Sequence, residues 1–364
     1  MFAPPRYLQW ARRFFGQVRF DMATSGIPWA AMDSVAPTRT IDAGPWDAPE
    51  RLRDAIAAHN DVPRHEVVPA FGTTHAIWLA CATIVDGGGR RGEPDEILVE
   101  APVYEPLVQI PGGCGAIVRS FTRDAARGFA LDPEAIARAI APRTRAVIVT
   151  DLHNPSGIRA GGDALRAAAR VADSVGAVLI VDEAYGELGR WVDASGVYRG
   201  SARNLAHNVV AVSSLTKCYG LGAERIGWML GPRELIERAH DTVLASLGHG
   251  PQSHARAGLD GFARTVPLAA RARAIITGKR ARVAAWAAAR GLTLTSSEES
   301  LFGLITLPGR GDLTLTIEDG IRDHEVVVSP GSFFGVPNAF RIAWSLPTES
   351  LDEGLERLGK ALGV

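Results

Sequence analysis

The chain has 364 residues, more than a single compact core of ordinary size contains, so its length indicates two domains or one large domain with an attachment. Charged residues make up 22% and hydrophobic residues 46%, as is usual for soluble globular proteins, and the formal net charge is −1. Such a nearly neutral chain gives no electrostatic reason to expect nucleic acid or an anionic membrane as its main partner.

The N-terminal sequence MFAPPRYLQWARRFFG lacks the apolar core of a signal peptide, and no apolar run of about 18 residues occurs in the chain. These features predict a cytoplasmic protein that does not enter membranes. Cys81, Cys114 and Cys218 are widely separated, which argues against a disulfide framework or a zinc site. The nine histidines also lack metal-ligand spacing, so no metal is expected.

Helical and strand-like segments alternate between about residues 70 and 246. THAIWLACATIV predicts a helix, and strands are predicted for EILVE, AIVRSF, AVIVTD, AVLIVDE, NVVAVSSL and RIGWMLG. Amphipathic helices are predicted for PEAIARAI, DALRAAARVADSVG and RELIERAHDTVLASL. Short apolar strands joined by helical crossovers predict an α/β fold with a mostly parallel sheet flanked by helices.

The C-terminal part of the chain has a different pattern. One long helix is predicted from about residue 265 to 290, although Pro267 and Gly278 lie within that Ala/Arg-rich stretch. After it, a small sheet is predicted from LTLTSS, LFGLITLP, EVVVSPG and FRIAWSLP, followed by the helix ESLDEGLERLGKAL. This pattern predicts a smaller α+β domain.

Lysine is rare in this chain, which makes each lysine informative. Only three of the 39 basic residues are lysines, namely Lys217, Lys279 and Lys360, and the other 36 are arginines. A guanidinium group supplies positive charge but cannot lose its proton as an amine can. Lys279 and Lys360 lie on patterns typical of exposed helix faces, whereas Lys217 lies between a predicted strand and a turn with glycines. Lys217 is therefore the candidate for chemistry that needs an amine.

Two other motifs have less support. Residues 87–92, GGGRRG, match G-x-G-x-x-G, but a predicted helix precedes them and a strand follows, whereas dinucleotide binding needs strand, turn and helix in that order. A plain turn is the favoured interpretation. Ser214 and Lys217 match the S-x-x-K of serine β-lactamases, but neither the S-D-N nor the K-T-G element of those enzymes occurs.

The residues near Lys217 match the requirements of pyridoxal-5′-phosphate (PLP). This cofactor needs a lysine for its aldehyde, amides, hydroxyls and an arginine for its phosphate, and a carboxylate for its ring nitrogen. Ser214 lies three residues before Lys217, and Arg225 lies eight residues after it. Asp182 ends the predicted strand AVLIVDE, and Tyr185 follows three residues later. Taken alone, Asp182 would be interpreted as a helix cap.

Further candidates lie at other strand ends. Asn154 opens the sequence NPSG after a predicted strand, a composition that is also common in plain turns. Gly72, Thr73 and Thr74 begin a predicted helix, whose free amides and dipole can bind phosphate, although Thr also caps helices. Tyr104 follows the predicted strand EILVE. In FRIAWSLP, Arg341 could bind a substrate or form an exposed salt bridge.

Together these motifs, spread over about residues 26 to 346, resemble those of the class I and II aminotransferases, the fold-type I PLP enzymes with the aspartate aminotransferase fold. The resemblance implies that Lys217 holds PLP as a Schiff base and later acts as the catalytic base, and that Asp182 binds the ring nitrogen. It assigns the ring oxygen to Asn154 and Tyr185, and the ring face to Tyr104. The implied phosphate ligands are Gly72, Thr73, Thr74, Ser214 and Arg225. The implied substrate-binding residues are Gly26, Asn154 and Arg341, of which Arg341 binds the α-carboxylate.

The resemblance also implies an organisation and a reaction. A large PLP-binding domain is expected over residues 45–270, with a small domain built from residues 1–44 and 271–364, in a homodimer. The expected activity is transamination between an amino acid and a 2-oxo acid. A lyase, decarboxylase, cyclase or oxidase of the same fold is the alternative, and a PLP-binding regulatory domain is a more distant one. The apolar sequence GIPW at residues 26–29 resembles a substrate-facing loop and favours a neutral substrate side chain.

One position departs from the family pattern. Upstream of ERLRDAIAAH the family usually has a tyrosine that reaches the cofactor phosphate of the neighbouring subunit, but this chain has Ala43 there, with Trp46 as the nearest aromatic residue. We expect Thr38, Arg39 or Thr40 to take over this contact, and Arg39 is chemically the most suitable.

Overall fold

The structure is a computed structural model that describes residues 4–29, 47–85, 94–189 and 200–364. In these ranges the helices are α1 (Arg6–Phe14), α2 (Ala48–Asn60), α3 (Gly72–Ile84), α4 (Pro106–Gly113), α5 (Pro133–Ala139), α6 (Gly162–Asp173), α7 (Arg233–Leu247), α8 (Gln252–Phe262), α9 (Thr265–Ile276), α10 (Lys279–Ala288), α11 (Thr314–His324) and α12 (Thr348–Leu362). The strands are β1 (Phe20–Asp21), β2 (Val67–Phe71), β3 (Glu96–Ala101), β4 (Ile117–Thr122), β5 (Thr144–Thr150), β6 (Val178–Asp182), β7 (Val209–Ser214), β8 (Ile226–Leu230), β9 (Thr293–Thr295), β10 (Phe302–Thr306), β11 (Val326–Val327), β12 (Ser329–Pro330) and β13 (Ala339–Ala343).

The large sheet has seven strands in the order β2-β8-β7-β6-β5-β3-β4. Strands β4, β3, β5, β6 and β7 are parallel to one another, and β8 is antiparallel to both of its neighbours. Apolar clusters cover both faces of the sheet. The predicted mostly parallel α/β sheet is therefore confirmed. The parallel strands β5, β6 and β7 end at Thr150, Asp182 and Ser214, so these residues lie together at the carboxyl ends of the parallel strands.

The edge strand β2 was not predicted. Its sequence VVPAF is short and contains Pro69, which cannot donate a backbone hydrogen bond. Because β2 pairs only with β8, it lies at the edge of the sheet, where a missing N–H group is tolerated.

A second sheet, antiparallel and four-stranded, has the order β12-β13-β10-β9, and β1 pairs with β11 beside it. Trp10, Phe20 and Met22 near the N-terminus share one hydrophobic cluster with Trp344 and Leu355 near the C-terminus. Both ends of the chain therefore contribute to one core. The division at residues 44/45 and 270/271 stays a prediction.

The single long helix predicted over about residues 265–290 is wrong. Helix α9 ends before Thr277, and α10 begins after Gly278, whose φ of +75° is a left-handed conformation that interrupts a right-handed helix.

The prediction that Lys279 is exposed is also wrong. Lys279 lies on the buried face of α10 with Val283 and Trp286, and its amine donates a hydrogen bond to the Leu346 carbonyl. Lys360 on α12 is exposed, as predicted.

Several sequence predictions fall outside the described residues, namely those for Thr38, Arg39, Thr40, Ala43, Trp46 and residues 87–92. Cys81, Cys114 and Cys218 are free thiols. Within the described ranges, no helix has the length and apolar character needed to cross a membrane.

Candidate active site

A cavity of about 400 Å³ lies where the carboxyl ends of the central parallel strands meet the second sheet and α1. The predicted site residues that line it are Thr73, Thr74, Tyr104, Asn154, Asp182, Tyr185, Ser214, Lys217, Arg225 and Arg341. Gly26 and Gly72 do not line the cavity but pack directly behind residues that do. The structure thus brings together groups that lie far apart in the sequence.

Lys217 lies in the turn after β7, with its amine in the cavity. Burial lowers the pKa of Lys217 to about 8, and the cationic side chains of Arg341 and Arg225 act in the same direction, while the Asp182 carboxylate opposes them. The Ile27 amide donates to the Lys217 carbonyl at 2.9 Å, and a β-carbon at Gly26 would lie 3.6 Å from Lys217 Cδ. The backbone around Lys217 is therefore fixed, and its amine loses a proton more readily than an exposed lysine.

Asp182 is half-buried and lines the same cavity. Its Oδ1 accepts a hydrogen bond from the Ala184 amide at 3.1 Å. Burial raises the pKa of Asp182 to about 7, although that bond and the Lys217 amine both favour the charged form. Within the described ranges, Asp182 forms no ion pair with a Lys, Arg or His nitrogen. A protonated nitrogen in the cavity would supply the missing cation.

A second group of cavity residues is suited to an anion. Helix α3 begins at Gly72, whose φ is +77°, and a β-carbon there would lie 2.5 Å from the Arg225 guanidinium. Thr73 Oγ1 donates to Ser214 Oγ at 3.0 Å. The Thr216 hydroxyl is buried and has no hydrogen-bond partner among the described residues. The first amides of an α-helix also lack intrahelical acceptors, so amides, hydroxyls and a guanidinium converge here.

Arg341 on β13 is 1% exposed, which rules out the exposed salt bridge considered from the sequence. Its Nη1 donates to Asn154 Oδ1 at 2.8 Å. Its guanidinium carbon lies 5.0 Å from the ring centre of Phe334 and 5.5 Å from that of Phe302. Among the described residues, no carboxylate pairs with Arg341. A buried cation without an anion is costly, so the site favours an anionic ligand.

Both tyrosines predicted for the site, Tyr104 and Tyr185, line the cavity, but they make different contacts. The Tyr185 hydroxyl donates to the Ser25 carbonyl at 3.0 Å and lies 3.2 Å from Ser25 Oγ. The Tyr104 ring makes an edge contact with the Tyr7 ring at 5.6 Å between centres. Burial raises the pKa of Tyr104 and of Tyr185, so both hydroxyls keep their protons.

Part of the cavity wall was not predicted from the sequence. Its further polar residues are Tyr7, Ser25 and Thr216, and its apolar residues are Leu8, Ala11, Phe15, Ile77 and Ala184. Thr216 could have been found, because it adjoins Lys217 in the recognised motif. The segment RYLQWARRF has the spacing of an amphipathic helix, but this periodicity does not indicate which surface the helix covers.

The residues present fit PLP. The α3 N-terminus, the Ser214 and Thr216 hydroxyls and Arg225 match a phosphate, the Asp182 carboxylate matches a ring nitrogen, and Lys217 matches an aldehyde.

Comparisons with known proteins agree with this fit. Residues 30–358 match the family model described as aminotransferase class I and II. Capreomycidine synthase of Streptomyces vinaceus is 29% identical over 374 aligned residues, which cover 98% of this chain and 92% of that protein. The aspartate/prephenate aminotransferase of Thermus thermophilus is 26% identical, with 96% of this chain and 90% of that protein covered. The crystal structure of the PLP-dependent cyclase OrfR has a TM-score of 0.82 at 25% identity and covers 100% of this chain and 98% of that chain.

Proposed function

Because this chain belongs to the class I and II aminotransferases, which are PLP-dependent enzymes, we propose that it transfers the amino group of an α-amino acid to a 2-oxo acid. The observation that carries the proposal is one cavity lined by the Lys217 amine, the Asp182 carboxylate and the Arg341 guanidinium. These groups provide a base, a partner for an electron-poor ring and a site for a substrate carboxylate.

PLP, when bound, supplies an electron sink that makes the α-proton of an amino acid acidic. The cavity residues that would hold its phosphate are Thr73, Thr74, Ser214, Thr216 and Arg225. Gly72 would contribute by leaving room for the Arg225 guanidinium. Asp182 would keep the ring nitrogen protonated. Asn154 and Tyr185 would contact the ring oxygen, and Tyr104 would cover one face of the ring.

Lys217 is proposed to move the α-proton. A general base is most effective when its pKa lies near the working pH, and the pKa of about 8 makes a substantial fraction of the amine neutral. The lowered pKa has a physical cause in the burial of the amine beside two guanidinium groups.

Arg341 is proposed to orient the substrate through its α-carboxylate. Charge-assisted hydrogen bonds from a guanidinium group are strong and directional. The hydrogen bond from Arg341 to Asn154 links the carboxylate site to the proposed contact with the cofactor ring. The apolar side chains of Leu8, Ala11 and Phe15 line another part of the cavity and favour a neutral substrate side chain.

A PLP-dependent cyclisation is the second candidate. It is favoured by the likeness to a synthase over nearly the whole chain and to a cyclase at 25% identity. The same lysine would take the α-proton in both reactions. The reactions differ afterwards, because a cyclase keeps the amino nitrogen in its product and a transaminase leaves it on the enzyme.

A single-turnover screen distinguishes these functions. Purified holoenzyme is mixed with one amino acid at a time, without a 2-oxo acid, and the products are identified by mass spectrometry. Transamination releases a 2-oxo acid and leaves the nitrogen on the enzyme. A cyclic product that retains the substrate nitrogen, or a 2-oxo acid released together with ammonia, would contradict the proposal. Lys217→Ala is the control, since it should release none of these products.

A further inference from the structure

The hydrogen bonds that Arg341 makes within the protein limit how its guanidinium group can bind a carboxylate. Nη2 has two hydrogens but three protein acceptors, namely the Tyr7 hydroxyl at 2.7 Å, the Ala23 carbonyl at 3.0 Å and Ser329 Oγ at 3.2 Å. Within the described part of the chain, Nη1 has one hydrogen left after its bond to Asn154, and the buried Nε has no hydrogen-bond partner. A carboxylate that binds both Nη atoms side by side would therefore find one of them already used.

Tyr7 can supply the hydrogen-bond donor that Arg341 Nη2 cannot supply to a carboxylate. A hydroxyl group can accept and donate at the same time, and the Tyr7 oxygen accepts its bond from Arg341. The Tyr7 proton is thus left over, and the described part of the chain provides no acceptor for it. Tyr7 is 4% exposed and lines the cavity, next to the guanidinium group that would hold the carboxylate.

We propose that Tyr7 is a second ligand of the substrate carboxylate. Its hydroxyl accepts a hydrogen bond from Arg341 Nη2 and donates its own proton to one carboxylate oxygen, while Arg341 Nη1 donates to the other oxygen. The ligand class is an α-amino acid with a free carboxylate. This inference rests on the proposed function, because it requires Arg341 to bind that carboxylate.

Packing on several sides fixes the hydroxyl of Tyr7 before a substrate arrives. Its ring contacts that of Tyr104 at 5.6 Å and that of Phe334 at 5.5 Å between centres. Its backbone amide donates to Glu105 Oε2 at 2.6 Å, so a residue beside α4 binds the first turn of α1. A donor held in place by its surroundings needs little reorganisation on binding, which favours selectivity.

The test compares Tyr7→Phe with the wild type. Phenylalanine keeps the ring and removes only the hydroxyl. The probes are L-alanine and ethylamine, which differ by the carboxylate and are small enough for the cavity. Their dissociation constants are measured from the visible spectrum of the holoenzyme. We expect Tyr7→Phe to bind L-alanine roughly ten- to hundredfold more weakly, with ethylamine affinity, cofactor spectrum and melting temperature unchanged.

Ser329→Ala is the matched control. Ser329 also accepts from Arg341 Nη2, but it is not among the residues that line the cavity. If Tyr7 donates to the carboxylate, the preference for L-alanine over ethylamine falls more in Tyr7→Phe than in Ser329→Ala. Equal losses would mean that Tyr7 only positions Arg341, and no loss in Tyr7→Phe would mean that it does neither. Either result overturns the inference.

The wild-type enzyme tests the underlying assumption separately. A wild type without any preference for L-alanine over ethylamine would refute carboxylate binding by Arg341, and the inference about Tyr7 with it. A wild type that prefers L-alanine, combined with an unchanged Tyr7→Phe, refutes the inference alone.

Discussion

Replacement of Asp182 by asparagine is expected to stabilise the apoenzyme while it impairs catalysis. Asp182 is half-buried in the cavity wall and has no cationic partner among the described residues, and desolvation of its carboxylate raises its pKa from 3.8 to about 7. Between these two pH values the unfolded chain carries an ionised Asp182, whereas the folded apoenzyme keeps it protonated. The folded state therefore binds more protons, and its stability falls as the pH rises through this window.

The size of this effect follows from the two pKa values. Each pH unit between them lowers the free energy of unfolding by about 1.4 kcal/mol, so the loss of stability above pH 7 is at most about 4 kcal/mol. Asparagine cannot ionise and escapes the penalty. The advantage of Asp182→Asn should grow by about 2 kcal/mol between pH about 5.5 and pH about 8.5, because only part of the penalty is present at the lower pH.

The assay is urea unfolding of the cofactor-free wild type and Asp182→Asn at both pH values, at equal protein concentration. The variant should be the more stable protein at high pH, and its margin should shrink towards low pH. In the same preparations, amino-acid turnover by the reconstituted variant should fall by several orders of magnitude, because the ring nitrogen loses its partner. A stability difference that is constant with pH, or near-native turnover, would refute the assignment of Asp182.

Three further substitutions test other contacts. Arg341→Ala should raise the KM for amino acids roughly ten- to hundredfold and leave the cofactor spectrum intact, and an equal loss for amines without a carboxylate would contradict this role. The same variant should also shift the acidic limb of the pH–rate profile to higher pH, because Lys217 acts as a base only when neutral and removal of the Arg341 cation raises its pKa; an unshifted limb would argue against that influence. Arg39→Ala should weaken PLP binding in a homodimer by roughly 1.5–3 kcal/mol, and a dimer structure whose cofactor phosphate contacts only its own chain would refute the contribution expected from residues 38–40. Glu105→Gln should lower the affinity for L-alanine without changing that for ethylamine, because α1 loses the carboxylate bound to its first turn; equal losses for both ligands would contradict this.

Much of the large sheet could be predicted, because strands buried on both faces are short apolar runs bounded by turns. Strands β3, β5, β6 and β7 were identified in this way, and the polar residues after them lie at one edge of the sheet. The edge strand β2 escaped prediction, since it is short and Pro69 weakens its pattern. The break at Gly278 was missed because the Ala/Arg-rich composition of the surrounding stretch, which favours a helix, outweighed one glycine.

Contacts between distant segments of the chain were harder to predict from the sequence. Periodicity assigned Lys279 to an exposed face, whereas it lies on the buried face of α10 and binds the Leu346 carbonyl. Tyr7 belongs to no recognised motif, and its contact with Arg341 spans 334 positions of the sequence. Such contacts depend on how elements pack in three dimensions, so local patterns do not contain them.

The most direct test of the account is to identify the lysine that carries the cofactor. The holoenzyme is reduced with borohydride, digested and mapped by mass spectrometry. The chain contains three lysines, and all of them lie within the described residues. We expect the cofactor mass on the peptide that contains Lys217, whose amine faces the cavity. Modification of Lys279 or Lys360 in its place would contradict the account.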